Sequence, residues 1–256
     1  MNDMPTSLRL QQVNEEIIRC RKCPRLVEYR ERVAREKRLA YRDCTYWGKP
    51  VPGFGDPQAQ LLIVGLAPGA HGSNRTGRMF TGDRSGVFLY QALYDAGFAN
   101  QPTAVSPDDG LELRNVYIAA AARCAPPDNK PLPSELLNCR EYLEREIDIL
   151  RPKAVLALGK IGWDVFLGIL KHRSGIPARA GYRFAHGAEV DFAAAGVRLF
   201  GVYHPSQQNT QTGLLTPGMY AKVLRRIRRF LEENAGVNTE SMERKKTIAR
   251  QRAADR

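Results

Sequence analysis

Leu61-Leu-Ile-Val-Gly65 is a run of apolar residues with no polar face, and it leads directly into Gly65-Leu-Ala-Pro-Gly-Ala-His-Gly-Ser-Asn-Arg-Thr-Gly-Arg-Met-Phe-Thr-Gly-Asp83. A strand without alternation is buried on both faces, as in a parallel sheet covered by helices. Three similar runs follow: Val116-Tyr-Ile-Ala-Ala120, Ala154-Val-Leu-Ala-Leu158 and Leu199-Phe-Gly-Val-Tyr203. Helical patterns separate them. Val87 to Ala96 is one, Ser134 to Leu150 another, with Ser134 as the expected N-cap and Pro152 as the stop, and Ile161 to Leu170 a third. A last helix, Met219 to Glu233, turns Val223, Leu224, Ile227, Phe230 and Leu231 inward and Arg225, Arg226, Arg228 and Arg229 outward. Strands alternating with helices predict an α/β fold with a central, mainly parallel four-stranded sheet flanked by helices. Ligands of such sheets bind beyond the carboxyl ends of the strands. The loops to inspect are therefore Leu66–Asp83, Ala121–Pro133, Gly159-Lys160 and His204–Thr216.

Outside this frame, Ser7 to Arg42 reads as charged helix interrupted at Cys20 to Pro24, with Leu10, Val13, Ile17 and Ile18 as its apolar stripe. Gly48 to Pro57 is so rich in glycine and proline that only turns are expected there. From about Gly236 the chain is polar and basic, so residues 236–256 are expected to form a disordered tail behind one domain spanning 1–235. The 256 residues carry 39 Lys and Arg against 27 Asp and Glu, a net charge of +12, which makes a polyanion the first partner to consider. No apolar run approaches a membrane span, and the start lacks the pattern of a signal peptide. A cytoplasmic protein without membrane contact, acting as a monomer, is the expectation.

Four features carry chemistry. The glycine-rich loop is neither a Walker loop nor a dinucleotide fingerprint, but its backbone N–H groups can approach a ligand closely. Arg75 and Arg78 would suit a phosphate-lined rim. Asp83 is either functional or the cap of the helix that follows, a role Ser85 could fill equally. His204-Pro-Ser-Gln-Gln-Asn-Thr-Gln-Thr-Gly213 places one of only four histidines at a strand end, where it can donate a hydrogen bond to a developing anion or titrate near neutrality. An odd count of five cysteines argues against a disulfide framework. Cys20-Arg-Lys-Cys23 with Cys124 and Cys139 fits zinc or an iron–sulfur cluster, and the spacing alone chooses neither. Cys44 has no partner spacing.

Together, Gly65-Leu-Ala-Pro, Gly77-Arg-Met-Phe-Thr-Gly-Asp83, Cys124-Ala-Pro-Pro-Asp-Asn-Lys-Pro131 and His204 to Gly213 resemble the motifs of the family-5 (UDGb-type) uracil-DNA glycosylases. The resemblance runs from Cys20 to Gly213. It implies a three-layer uracil-DNA-glycosylase fold and a 4Fe–4S cluster on Cys20, Cys23, Cys124 and Cys139 that ties in the N-terminal helical segment. It also implies hydrolysis of the N-glycosidic bond of deaminated bases in DNA. Related families place a carboxylate or Asn beside the first motif's glycine, where this chain has Leu66 and Ala67. The resemblance instead gives the catalytic duties to Asp83, Asn129 and His204. Gly65, Ala67, Phe80 and Ala120 become the base-binding set, with Phe80 the aromatic under the flipped base. Uracil-selective relatives carry an Asn where this chain has Ala120, so hypoxanthine and xanthine join uracil as expected substrates. Arg75, Arg78, Ser206, Gln207, Gln208, Asn209 and Thr212 become DNA contacts, with Gln207 to Gly213 as the wedge that fills the vacated stack.

The chief rival reading is a non-catalytic iron–sulfur nucleic-acid-binding protein on the same fold. The missing carboxylate beside Gly65 supports it, and the joint presence of Asp83, Asn129 and His204 opposes it. A redox enzyme would want a second cofactor motif, and a nucleotide hydrolase would want a phosphate-loop lysine. This chain has neither.

Overall fold

The four apolar runs pair as the central strands of one sheet. In the computed structural model, which describes residues 4–174 and 181–234, these strands are β2 (Leu61–Gly65), β3 (Val116–Ala120), β4 (Ala154–Leu158) and β6 (Val197–Val202). All neighbouring pairs among them are parallel, in the order β3-β2-β4-β6. Two short edge strands complete a six-stranded sheet: β1 (Phe54–Gly55) pairs antiparallel with β3, and β5 (Glu189–Phe192) pairs antiparallel with β6. The expectation of four strands, with turns alone at Gly48–Pro57, is thereby corrected. Phe54 and Gly55 pair with Ile118 and Tyr117, a ladder too short to leave a periodic signal. β5 alternates exposed and covered residues because it lies at an edge.

Helices cover both faces, and a single turn, α3 (Ser73–Thr76), lies in the loop after β2. α4 (Arg84–Asp95) and the terminal helix α8 (217–234) pack on one face through Leu89, Leu93, Val223, Leu224 and Ile227. α6 (Lys160–Ser174) closes the other through Trp163, Phe166 and Ile169, with Leu143 of α5 (Pro133–Leu150) in the same cluster. α5 begins one residue earlier than expected, and Ser134 is not its cap. Pro133 takes the first helical position, and the Glu135 carboxylate accepts the Leu132 N–H at 2.7 Å.

The N-terminal segment forms α1 (Thr6–Arg19) and α2 (Pro24–Glu36), broken where the two cysteines and Pro24 fall. Leu10 of α1 joins the core cluster that contains Leu143 of α5, and Val13 and Ile17 pack with Tyr142. Ion pairs Arg145–Glu16, Lys22–Glu141 and Arg25–Glu135 line the same seam. The tie between this segment and the sheet is apolar packing edged by charge. The tail expected at 236–256 lies outside the described residues. No described helix is long and apolar enough to cross a membrane.

The strand order places the topological switch between β2 and β4, since the chain steps from β2 to β3 on one side and returns to β4 on the other. A crevice at the carboxyl ends of the strands is the geometric consequence.

Candidate active site

A cleft of about 670 Å³ opens at that end of the sheet. Asp83, Asn129 and His204 arrive from the segments after β2, β3 and β6 respectively, and all three line it. Leu66, Ala67, Phe80, Ser206 and Gln207 also line it.

Asp83 takes the capping role and also lines the cleft. It is the N-cap of α4, and its Oδ1 accepts the Gly86 N–H at 2.9 Å. Its Oδ2 points at the glycine-rich loop, where a Cβ on Gly72 would stand 2.0 Å from it. Gly72 is therefore the residue that lets the carboxylate sit here. Burial raises the Asp83 pKa, while the Gly86 and Ser85 N–H groups and the charge of Arg75 favour its ionised form.

Phe80 is held in the left-handed region at φ 54°, an outlier for a bulky side chain. The surroundings over-determine it. Its N–H donates to Ser73 Oγ at 2.9 Å, and the preceding Met79 carbonyl accepts the Tyr90 hydroxyl at 2.7 Å. Its ring lies over the end of β2, where a Cβ on Gly65 would come within 2.9 Å of it. Gly65 and Ala120 face each other in register beneath the ring. Neither is among the residues that line the unliganded cleft, and Ala120 sits in the same core cluster as Phe80.

Asp128 and Asn129 are consecutive left-handed residues in a single 3₁₀ turn, φ 53° and 56°. Both types tolerate that region. The Asn129 side chain is exposed and makes no hydrogen bond within the described protein. His204 follows β6 directly, its ring 6.0 Å from that of Phe80. Burial lowers its pKa from 6.5 to about 4, so the imidazole is neutral at physiological pH. A neutral imidazole of this kind can still donate a hydrogen bond from one ring nitrogen. Its backbone carbonyl accepts the Asn209 side chain at 2.8 Å, and no described residue bonds its ring nitrogens.

The segment after His204 is not a loose loop. Ser206 caps a short helix, α7 (Gln207–Gln211), through its Oγ and the Asn209 N–H at 3.2 Å. Gln207 and Gln208 are exposed, whereas Asn209 and Thr212 bond back to the segment itself.

The arginines expected on the rim behave differently. Arg78 is 4% exposed and donates to Asp109 at 2.8 Å, Thr81 at 2.9 Å and the Pro107 carbonyl at 3.1 Å. With every direction occupied, it supports the loop from inside and cannot grip a phosphate. Arg75 donates to the His71 and Gly82 carbonyls at 2.9 and 2.8 Å and lies over the Tyr41 ring, so it also braces the loop. The sequence reading missed Tyr29, Arg38, Tyr41 and His71, which line the cleft. Three of these come from α2 and the turn after it, and only tertiary packing brings that segment to the sheet. His71 Nδ1 is 3.0 Å from the Tyr46 hydroxyl.

Away from the cleft, Cys20, Cys23, Cys124 and Cys139 line one small enclosed cavity with Arg30, Arg123 and Asn138. Among the described residues no group of three or more His, Cys, Asp or Glu side chains is arranged to hold a metal ion. Cys44 stands outside this group.

A family model described as the uracil DNA glycosylase superfamily matches residues 52–228. A type-5 uracil-DNA glycosylase of Mycobacterium leprae is 50% identical over 216 residues, 84% of this chain and 92% of that protein. The chain belongs to the type-5 uracil-DNA glycosylases. Namesakes from Thermus thermophilus and Pyrobaculum aerophilum are each 49% identical, covering 82% of this chain and 93% and 88% of theirs. The superfamily match spans all of the sheet and includes Asp83, Asn129 and His204 of the cleft.

Proposed function

We propose that this glycosylase extrudes a deaminated nucleotide from DNA into the cleft and hydrolyses its N-glycosidic bond, leaving an abasic site and starting base excision repair. The observation that carries the reading is the convergence of Asp83, Asn129 and His204, from three separate crossovers, on one cleft floored by Phe80. Extrusion costs a few kcal/mol of stacking and pairing, and Phe80 restores a stacking surface. As the C1′–N bond lengthens, its electron pair moves onto the base and the sugar gains oxocarbenium character. The Asp83 carboxylate supports that positive charge. Neutral His204 donates a hydrogen bond to the base as it becomes anionic. The Asn129 amide oxygen orients a water whose hydroxide ends on C1′, and its proton passes through solvent to the departing base. With Leu66 and Ala67 unable to activate water, leaving-group stabilisation dominates.

Uracil is the primary substrate. Hypoxanthine and xanthine are also accepted, because the cleft is roomy and no amide side chain at position 120 reads a pyrimidine edge. Treating a uracil-containing oligonucleotide with the protein and then alkali tests the reading: strand cleavage is expected, and its absence would leave the non-catalytic reading. The same assay over hypoxanthine and xanthine tests the breadth.

Cys20, Cys23, Cys124 and Cys139 hold a 4Fe–4S cluster in this reading. Four thiols lining one small cavity are the donor set that such a cluster takes. The buried guanidiniums also suit an anionic group. Arg30 donates to Cys124 Sγ at 2.8 Å while its Nε lacks a partner, and Arg123 pairs with Glu146 while its Nε and Nη1 lack one. When bound, the cluster supplies a crosslink between the start of α2 and the segments flanking the Asn129 turn. Metal analysis of the purified protein should find roughly four irons per chain, and zinc without iron would overturn the assignment while leaving the glycosylase intact.

A further inference from the structure

A second concavity, about 610 Å³, lies along the side of α2 that carries Glu31 and Arg35, whereas Tyr29 of the same helix lines the cleft. Its charge is one-sided. Glu31 is the only acid lining it, and Arg21 engages that carboxylate at 2.6 Å. Arg35 and Lys49 line it too, both exposed and neither with an acidic partner among the described residues. Its inner wall is Arg30, whose guanidinium is committed to Cys124 Sγ and the Cys20 carbonyl. That leaves Arg35 and Lys49 as exposed cations without acidic partners, which are suited to phosphate.

The groove also offers a flat aromatic. Trp47 is half-buried, its Nε1 donates to the Pro50 carbonyl at 3.0 Å, and its six-membered ring packs against Gly77, so the plane of the indole is fixed. Lys49 Nζ lies 5.3 Å from the ring centre on a flexible stem that can swing to a phosphate. A fixed aromatic beside unpaired cations is the arrangement that binds single-stranded nucleic acid.

The groove and the cleft are also built on common elements. The Trp47 and Gly48 N–H groups donate to the Arg75 and Asn74 carbonyls at 2.9 and 3.0 Å, which anchors the groove to the glycine-rich loop. Arg38, just beyond α2, lines the cleft and continues the line of cations from Arg35.

We infer that this groove is a second nucleic-acid subsite, taking phosphates and one unstacked base of the strand that flanks the extruded nucleotide. The inference rests on the proposed glycosylase reading, since it needs a strand leaving the cleft. Fluorescence anisotropy on labelled oligonucleotides tests it. Each carries 2′-fluoro-2′-deoxyuridine, whose electron-withdrawing fluorine holds back bond cleavage. One is roughly four nucleotides long, and two are extended to roughly sixteen on the 5′ or the 3′ side. Extension on one side should tighten binding to the wild-type protein. Arg35→Gln with Lys49→Gln should abolish most of that gain and lower the salt slope by about 1.4, the value for two phosphate contacts on a single strand. Trp47→Leu should cost about tenfold on the extended strand only. Should that variant prove unstable, the exposed charge pair still decides. The inference is overturned if extension brings no gain, if the variants keep the gain or lose affinity equally on the short strand, or if inorganic phosphate displaces the extension as well as an oligonucleotide does. Wild-type excision from the matching uracil strand tests the glycosylase reading separately.

Discussion

Arg78 and His204 both belong to glycine-bounded motifs beside the cleft, and both are largely withdrawn from solvent, yet they are finished in opposite ways. Arg78 spends its donors on Asp109, Thr81 and Pro107, so nothing remains for a ligand. His204 has its backbone tied by Asn209 while its ring faces the cleft without a described partner. Burial of a polar group is costly unless it is hydrogen-bonded. A side chain that meets the cost internally is part of the scaffold, and one that leaves it unmet at a cleft awaits a ligand. Arg75 falls with Arg78, while Asn129 is exposed at the cleft and keeps its amide free because water can serve it.

The contrast breaks most visibly at Arg78. Arg78→Met should destabilise the fold by about 3–5 kcal/mol, since it leaves a partly buried carboxylate without its counter-charge. The pairing and three backbone N–H groups now hold Asp109 down to about 2. Urea titration would measure the loss. The salt dependence of DNA affinity should stay unchanged, and a slope reduced by one phosphate contact would return Arg78 to the rim.

At His204 the expected losses reverse. His204→Ala should leave stability near wild type at neutral pH and slow single-turnover excision about a hundredfold, the usual effect of removing one preorganised donor. The pH dependence carries its own sign. The folded pKa lies near 4 against 6.5 for the free group, so between these values the unfolded chain binds the proton and the folded chain does not. His204 therefore lowers stability as pH falls from 6.5 toward 4, has no such effect above 6.5, and adds nothing further below 4. The Ala variant should lose that part of the acid sensitivity. Excision rates should show no break near 6.5 from this group.

The sequence revealed the scaffold better than it revealed which polar residues were spoken for. β2, β3 and β4 were legible to the residue because strands covered on both faces are continuous apolar runs. α8 was legible because four arginines sit opposite a helical apolar stripe. β1 and β5 were not, being edges with half their pattern given to solvent. Asp83, Asn129 and His204 could be gathered by motif, but the fate of Arg78 turns on Asp109, a residue 31 positions away with no motif of its own. Tyr29, Arg38 and Tyr41 reach the cleft only because α1 packs on α5 and carries the following segment with it.

Asp83 stands between the two classes, and its variants give the finest measure of the difference. One oxygen is structural, capping α4, and the other faces the glycine-rich loop. Because burial raises its pKa from 3.8, the folded chain holds the Asp83 proton more tightly than the unfolded chain does. Stability therefore falls as pH rises through the window above 3.8, and the ionised carboxylate is a standing cost at neutral pH. Asp83→Asn keeps an oxygen for the Gly86 N–H and removes the charge. It should be more stable than wild type at neutral pH, lose that advantage as pH falls through the same window toward 3.8, and excise uracil far more slowly. Asp83→Ala also removes the charge but loses the cap, and should be about 1 kcal/mol less stable than the Asn variant. Thermal melts of the three proteins at neutral and acid pH would separate the cap from the charge. If Asn proved no more stable than wild type at neutral pH, the carboxylate would be as fully satisfied as Arg78, and its place among the residues that await a ligand would be lost.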